Sequence, residues 1–370
     1  MPNAHITGWG MAVPQKVLTN DDLSKMVDTS DQWIREMTGI RERHIAAENE
    51  SSASLGAAAS FKALKMAGLT PDDVDLIICS TSSPEHIFPA TACLIQDQLG
   101  ASNAGAYDLS AACSGFIYAL QSGAQAIKAG DANTVLVIGA ETLSRFVNWQ
   151  DRNTCILFGD GAGAFVLQAS DKAGGIQKGV IHSDGSGGDY LTIPSGGSKH
   201  PTTEATLHAG QHFIHMNGKE VFRFATRVIV SSTNEVLKKS GWKAEDLRMI
   251  IPHQANRRII DAAARGLELP IESFFMNLDR YGNTSTASIP IAAVEAAKEK
   301  RLRAGDKVVL VGFGAGLTWA AMTIEWTGPL LKPFEKHYIN ADWYKPWAFL
   351  RRILKRIIRW LDTFLFDRSE

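Results

Sequence analysis

The 370-residue sequence has only four cysteines, no Cys-x-x-Cys pair and almost no net charge, and none of its apolar runs approaches the length that spans a bilayer. Cys79, Cys93, Cys113 and Cys155 lie far apart with no histidine tract beside them. That excludes a disulfide framework and a cysteine zinc site, and it points to a reduced, cytoplasmic protein. His200, His208, His212 and His215 are too irregularly spaced for a metal centre, so no metal is expected. The N-terminal Met-Pro-Asn-Ala-His-Ile-Thr-Gly lacks a charged segment followed by an apolar one, so secretion is not expected either. A net charge of −1 offers nothing to nucleic acid. With 45% apolar residues, the chain can fill a core without staples.

What the sequence does contain is an internal echo. The run DVDLIIC from Asp73 to Cys79 is answered by DLRMIIP from Asp246 to Pro252, and DANTVLVIG from Asp131 to Gly139 by AGDKVVLVG from Ala304 to Gly312, both at an offset of 173 residues. Between these runs each half holds a helical stretch, a short strand (Ala106 to Leu109; Phe274 to Leu278), a small-residue turn and an Ala-rich helix. Buried strands resemble one another by chance, since all are rich in Val, Ile and Leu. Two matches at one offset favour an α/β fold built twice. The expected division is a first half over 1–172, a second over 173–326, and an extension over 327–370.

Three residues stand where such a fold ends its strands. Cys113 falls where an apolar strand breaks into Ser-Ala-Ala-Cys-Ser-Gly and restarts as a helix. A helix N-terminus favours an anion, so this thiol is expected to be partly ionised. His253 lies in Ile-Ile-Pro-His-Gln-Ala-Asn, and Asn283 in Tyr-Gly-Asn-Thr-Ser-Thr-Ala-Ser, the turn that duplication sets opposite that of Cys113. Singly these read as a buried thiol, a core histidine and a turn asparagine. Together, at the carboxyl ends of strands, they point to acyl transfer. The glycine loop from Gly312 to Trp319 offers backbone N–H groups to an oxyanion. Gly159 to Ala164 resembles half of a dinucleotide fingerprint, but a strand-like Phe-Val-Leu follows, so it reads as a tight turn.

Longer motifs carry a family resemblance. Asp-Thr-Ser-Asp-Gln-Trp-Ile (from Asp28), Thr-Gly-Ile-Arg-Glu-Arg (from Thr38), Ala-Ala-Cys-Ser-Gly-Phe (from Ala111), Phe-Gly-Asp-Gly-Ala-Gly-Ala (from Phe158), Pro-His-Gln-Ala-Asn (from Pro252) and Gly-Asn-Thr-Ser (from Gly282) span about Ile6 to Trp326. Together they resemble β-ketoacyl-acyl carrier protein synthase III, the initiating condensing enzyme of bacterial fatty acid synthesis. The resemblance implies a homodimer of the duplicated thiolase fold, five-layered α-β-α-β-α, with no permanently bound cofactor and acyl-CoA as substrate. It implies that Cys113 takes the acyl group, that the N–H groups of Cys113 and Ala315 form the oxyanion hole, and that His253 and Asn283 stabilise the enolate left when malonyl-acyl carrier protein loses carbon dioxide. It places Trp33, Arg152 and Lys219 at coenzyme A, Phe88, Phe158, Phe313 and Leu317 at the acyl pocket, and Arg223, Arg258 and Arg265 at the acidic carrier protein.

Three positions depart from the family pattern. Met37 stands where an Arg is common, Lys219 where an Asn is common, and Leu317 where a bulky aromatic is common. A longer primer than acetyl, and hence a specialised condensing enzyme or acyltransferase acting on longer chains, is the alternative to the primary pathway. A non-catalytic relative is disfavoured by the intact Cys113, His253 and Asn283.

The segment 327–370 lies outside the resemblance. Within 341–370 there are seven Lys and Arg against four acids, a surplus of three positive charges on a chain whose remainder is acidic. From Trp347 to Leu365 the apolar residues fall on a ~160° arc and the basic ones on a separate ~140° arc of a helix. Two readings stand: peripheral contact of 345–366 with an anionic membrane, or docking of the apolar stripe on the protein body or a dimer partner.

Overall fold

The computed structural model describes residues 1–329 and 341–366. Two sheets form its frame. The first contains β1 (Asn3–Ala12), β2 (Leu76–Ser80), β3 (Gly105–Leu109), β4 (Thr134–Thr142) and β5 (Asp160–Ser170), in the order β1-β5-β4-β2-β3. The second contains β6 (Gly175–Ser183), β7 (Met249–Pro252), β8 (Lys307–Gly314) and β9 (Thr318–Glu325), in the order β7-β8-β9-β6. In both, a parallel pair lies beside an antiparallel return: β2 and β4 run parallel, as do β7 and β8. The register repeats as well. Ile77 faces Leu136 in the first sheet and Ile250 faces Val309 in the second, each residue 173 positions from its counterpart.

Helices complete five layers. α1 (Ser52–Ala67) and α2 (Thr91–Leu99) cover the outer face of the first sheet, and α4 (Gly218–Ser240) and α5 (Arg257–Gly266) that of the second. α3 (Gly115–Ala129) and α6 (Ser288–Lys298) fill the middle, where Phe116, Ile117 and Leu120 share one core with Ile289, Ile291 and Ala293. A last helix, α7 (Ala341–Phe366), extends from this body. Caps set the helix ends: Ser51 and Ser54 form a capping box at the start of α1, and Gly68 closes it in the left-handed region at φ 69°.

Two sequence expectations are corrected by packing. The glycine run after Phe158 is not a turn but the entry to β5, kept free of side chains because a Cβ on Gly163 would lie 2.6 Å from Pro290 Cβ of α6. The short strand expected from Phe274 to Leu278 is reduced to one bridge, Ile250 to Phe274, and Leu278 already begins a helical turn, Leu278–Tyr281. The edge position that β3 fills in the first sheet is thus nearly empty in the second.

β1 packs against α1 at very short range. A Cβ on Gly8 would fall 2.2 Å from the Ala63 carbonyl oxygen, and neither backbone can yield. Gly8→Ala is therefore expected to lower stability by about 1–3 kcal/mol or more, whereas Gly185→Ala, with nothing within 4 Å, should stay within about 0.5 kcal/mol. Paired denaturant titrations of the two variants would check this.

Candidate active site

Cys113 sits where β3 gives way to α3, in the single 3-10 turn Ala112–Ser114. Ala112 takes φ 45°, a left-handed conformation that costs a non-glycine residue on the order of 1–3 kcal/mol. The surroundings hold it there. Ser114 Oγ and Thr318 Oγ1 each donate to the Ala111 carbonyl at 2.9 Å. β8 of the other sheet then closes over the turn: a Cβ on Gly314 would lie 2.6 Å from Cys113 N, and one on Gly312 3.3 Å from Ser114 Cα. Only bare backbone fits at Gly314. The turn has a twin in the second half, Ser285–Ala287, where Ser285 (φ 49°) repeats Ala112 and Thr286 stands 173 positions after Cys113.

His253 follows β7, its backbone N–H donating to the Val311 carbonyl at 2.8 Å. Its Nδ1 lies 2.7 Å from Oγ of Ser288, the first residue of α6. That oxygen also accepts the Gln254 N–H at 3.4 Å. Burial pushes His253 from 6.5 down to about 3, leaving the ring neutral. Asn283 is pinned by its own backbone, which donates to Leu157 O at 2.8 Å and accepts from Gly159 N–H at 3.0 Å. Its Oδ1 accepts the Ser285 N–H at 2.8 Å, which leaves the Nδ2 amide as the donor still to be used.

Cys113, His253 and Asn283 all line one cavity of about 580 Å³. Its buried wall includes Phe158, Phe224, Phe313 and Leu317, and its rim the exposed Met37, Lys219 and Arg258 with half-buried Trp33. The Phe313 ring stands edge-on to His253 at 5.2 Å.

Burial also decides the state of the thiol. It pushes Cys113 up to about 12; a hydrogen bond from Ser285 opposes the rise, and the negative charge of Glu141 adds to it. The expectation of a thiol ionised by its helix N-terminus is corrected, because desolvation outweighs that dipole here. Glu141, at the end of β4, is fully buried. It accepts from Ser82 N–H at 3.1 Å and from Ser83 Oγ at 2.5 Å. Burial raises its carboxyl to about 7 against hydrogen bonds from Ser83, Ser285, Ser82 and Thr286. Ser285 thus opposes the rise of both the thiol and this carboxyl.

Of the residues singled out in the sequence, Trp33, Lys219, Phe158, Phe313, Leu317 and Arg258 line the cavity. Arg152 does not, but its guanidinium lies 5.0 Å over the Trp33 ring. Ala315 is half-buried behind the wall, where its neighbour Gly314 is the lining residue. Phe88 is not in the cavity wall of this chain and is 84% exposed on the loop after β2. Arg223 is paired with Glu220 at 3.1 Å, and Arg265 is exposed at the opposite end of α5 from Arg258. Sequence reasoning missed Ser285, Ser288 and Glu141 as supports. The two serines were visible in the Asn-Thr-Ser-Thr-Ala-Ser run, but nothing in the sequence showed which atoms they would hold.

A duplicated two-sheet fold with a cysteine, a neutral histidine and an asparagine on one buried wall defines a condensing enzyme of the thiolase type, an acyltransferase. Residues 107–185 match the family model described as 3-oxoacyl-[acyl-carrier-protein] synthase III, and 237–326 its C-terminal counterpart. The chain is 53% identical over 321 residues to the β-ketoacyl-[acyl-carrier-protein] synthase III of Symbiobacterium thermophilum, covering 87% of this chain and 97% of the relative. It is 49% identical over 324 residues to that of a Roseiflexus species, covering 88% and 98%. The crystal structure of 3-oxoacyl-[acyl-carrier-protein] synthase III from Aquifex aeolicus superposes with a TM-score of 0.81 at 46% identity, covering 87% of this chain and all of that one. This chain belongs to the β-ketoacyl-[acyl-carrier-protein] synthase III family.

Because the Glu141 charge raises the thiol, Glu141→Gln should lower the pKa of Cys113. The pH profile of Cys113 alkylation, followed by peptide mass spectrometry, should move to lower pH. An unchanged profile in a variant with an unaltered melting temperature would remove Glu141 from the electrostatics of the site.

Proposed function

We propose that the protein carries out the decarboxylative condensation of an acyl-CoA primer, acetyl-CoA first, with malonyl-acyl carrier protein, giving 3-oxoacyl-acyl carrier protein and so initiating fatty acid synthesis. The observation that carries this reading is the placing of Cys113, His253 and Asn283 on one cavity wall. Relatives at about half identity, all bearing one activity in their names, favour it over a specialised long-chain enzyme.

The chemistry follows from the donors. Cys113 Sγ bonds to the thioester carbonyl carbon, the carbon–sulfur bond to coenzyme A breaks, and the thiol proton leaves on the coenzyme A sulfur. A thiol that rests protonated is ionised only as the thioester engages it, while N–H groups at Cys113 and Ala315 receive the oxyanion. Trp33 and Arg152 stack the coenzyme A base, Lys219 meets its phosphates, and Phe158, Phe313 and Leu317 enclose the acyl chain. The malonyl thioester then enters. His253 Nε2–H and Asn283 Nδ2–H donate to its carbonyl oxygen, carbon dioxide departs, and the enolate carbon attacks the acyl carbon, releasing the Cys113 thiolate to be reprotonated. A neutral histidine suits this step: it stabilises developing charge without giving the carbanion a proton. Arg223, Arg258 and Arg265 offer positive charge to the carrier protein.

We infer a homodimer. Among the described residues β3 is an edge strand with one side unpaired, Tyr107 on it is exposed, and Ile87 and Phe88 on the loop after β2 are 85% and 84% exposed. Pairing two copies along this edge covers these residues. We place the protein in the cytoplasm, with segment 345–366 in peripheral contact with a membrane.

Incubation with acetyl-CoA should add one acetyl group to Cys113, seen by intact mass, and Cys113→Ala should abolish it. His253→Ala and Asn283→Ala should still acylate yet lose roughly a hundred- to a thousandfold in condensation rate. Absence of any adduct with acetyl-CoA or longer acyl-CoAs would overturn the reading. Light scattering should give twice the chain mass of 40.2 kDa, and a monomer would end the dimer inference.

A further inference from the structure

Among the described residues, Ala348, Arg351 and Lys355 root α7 on the body. Ala348 is buried against Gly100, whose added Cβ would lie 3.1 Å from Ala348 Cβ. Arg351 pairs with Asp72 at 2.7 Å, and Lys355 Nζ donates to Ser102 Oγ at 3.2 Å. Beyond this root, the described stripe residues Leu350, Leu354, Ile357, Ile358 and Leu361 are between 43% and 54% exposed. These residues leave an open apolar face on the described part of the stripe. The two long basic side chains of the root lie over the surface instead of the stripe.

Where α7 attaches matters. Asp72, Gly100 and Ser102 precede β2 and β3, so the root is at the amino ends of these strands, whereas Cys113 follows the carboxyl end of β3. The anchor and the reaction cavity sit at opposite ends of the first sheet. The C-terminal family model stops at Trp326, and relatives are spanned almost entirely by 321 to 324 residues of this chain. The helix therefore serves something other than the shared condensation.

Charge selects the partner. Basic residues at 351, 352, 355, 356 and 359 flank the apolar stripe, on a chain whose first 340 residues carry a net negative charge. Among the described residues no helix is long and apolar enough to cross a membrane. A basic amphipathic helix with an open apolar face lies in a lipid interface and favours anionic headgroups. Resting on the membrane-contact reading of 345–366, we propose that α7 is a peripheral anchor for an anionic lipid surface, and that it holds the body with its cavity at the end of the sheet away from the root. The stripe enters the boundary between headgroups and acyl chains, and the cavity stays open to soluble carrier protein and acyl-CoA.

The test is flotation of the full-length protein with vesicles of phosphatidylcholine alone or with a third of phosphatidylglycerol. Flotation should occur with the anionic vesicles and weaken in high salt. The variant R352Q/R356Q/R359Q, which keeps Arg351 and Lys355, should bind them roughly a hundredfold more weakly. L354E/I358E, at exposed positions, should abolish flotation without altering acylation of Cys113. Equal flotation with both vesicle types would overturn the anionic preference while leaving membrane contact standing. No flotation with either would overturn both, and if L354E/I358E also dissociates the oligomer, the stripe belongs to a second copy of the chain.

Discussion

Everything at the site depends on two backbones touching. β8, from one sheet, runs its glycine-bearing end directly over the turn that leads out of the other sheet, with Gly314 against Cys113 and Gly312 against Ser114. A side chain at Gly314 would drive the sheets apart exactly where the thiol, the imidazole and the amide must share one wall. The central helices α3 and α6 set the spacing that makes this contact possible, because their small and branched residues interlock in one core. Catalytic geometry is thus a product of sheet-to-sheet packing. The loops that carry the reactive groups add little of their own.

The same burial gives the site its electrical character. Cys113 is held protonated, His253 is held neutral, and Glu141 is brought close to neutrality, all by removal from water. Neither the thiol nor the imidazole carries a charge at rest. Charge appears only as the reaction creates it, first on the thioester oxygen and later on the enolate, where the preset N–H donors are worth most because they need no reorganisation. The hydrogen bond from the Ser285 amide to Asn283 Oδ1 leaves the Asn283 Nδ2 amide to donate, and the contact of Ser288 Oγ with His253 Nδ1 leaves Nε2 facing the reaction.

Much of this was legible in the sequence. The 173-residue echo predicted the doubled sheet, and the register of Ile77 with Leu136 and Ile250 with Val309 repeats it. Cys113 and His253 were legible because each follows a recognisable apolar strand, and Asn283 because the duplication sets its turn opposite that of Cys113. The charge state of Cys113 was not: a helix N-terminus is visible in a sequence, but the depth at which it is buried comes from β8, two hundred residues away. The strand character of the Gly159 to Ala164 run was hidden for a similar reason, since those glycines answer to Pro290 across the core and not to a local bend.

The twin turn at Ser285–Ala287 has a historical meaning. Ser285 shares the left-handed backbone of Ala112, and Thr286, at the nucleophile's equivalent place, spends its hydroxyl on Ser80 Oγ at 2.9 Å, at the carboxyl end of β2. An ancestor with two identical lobes would have carried two equivalent nucleophile seats. In the present chain one seat kept its chemistry and the other became a rivet joining the lobes, so a symmetric scaffold now encloses a single, one-sided chamber.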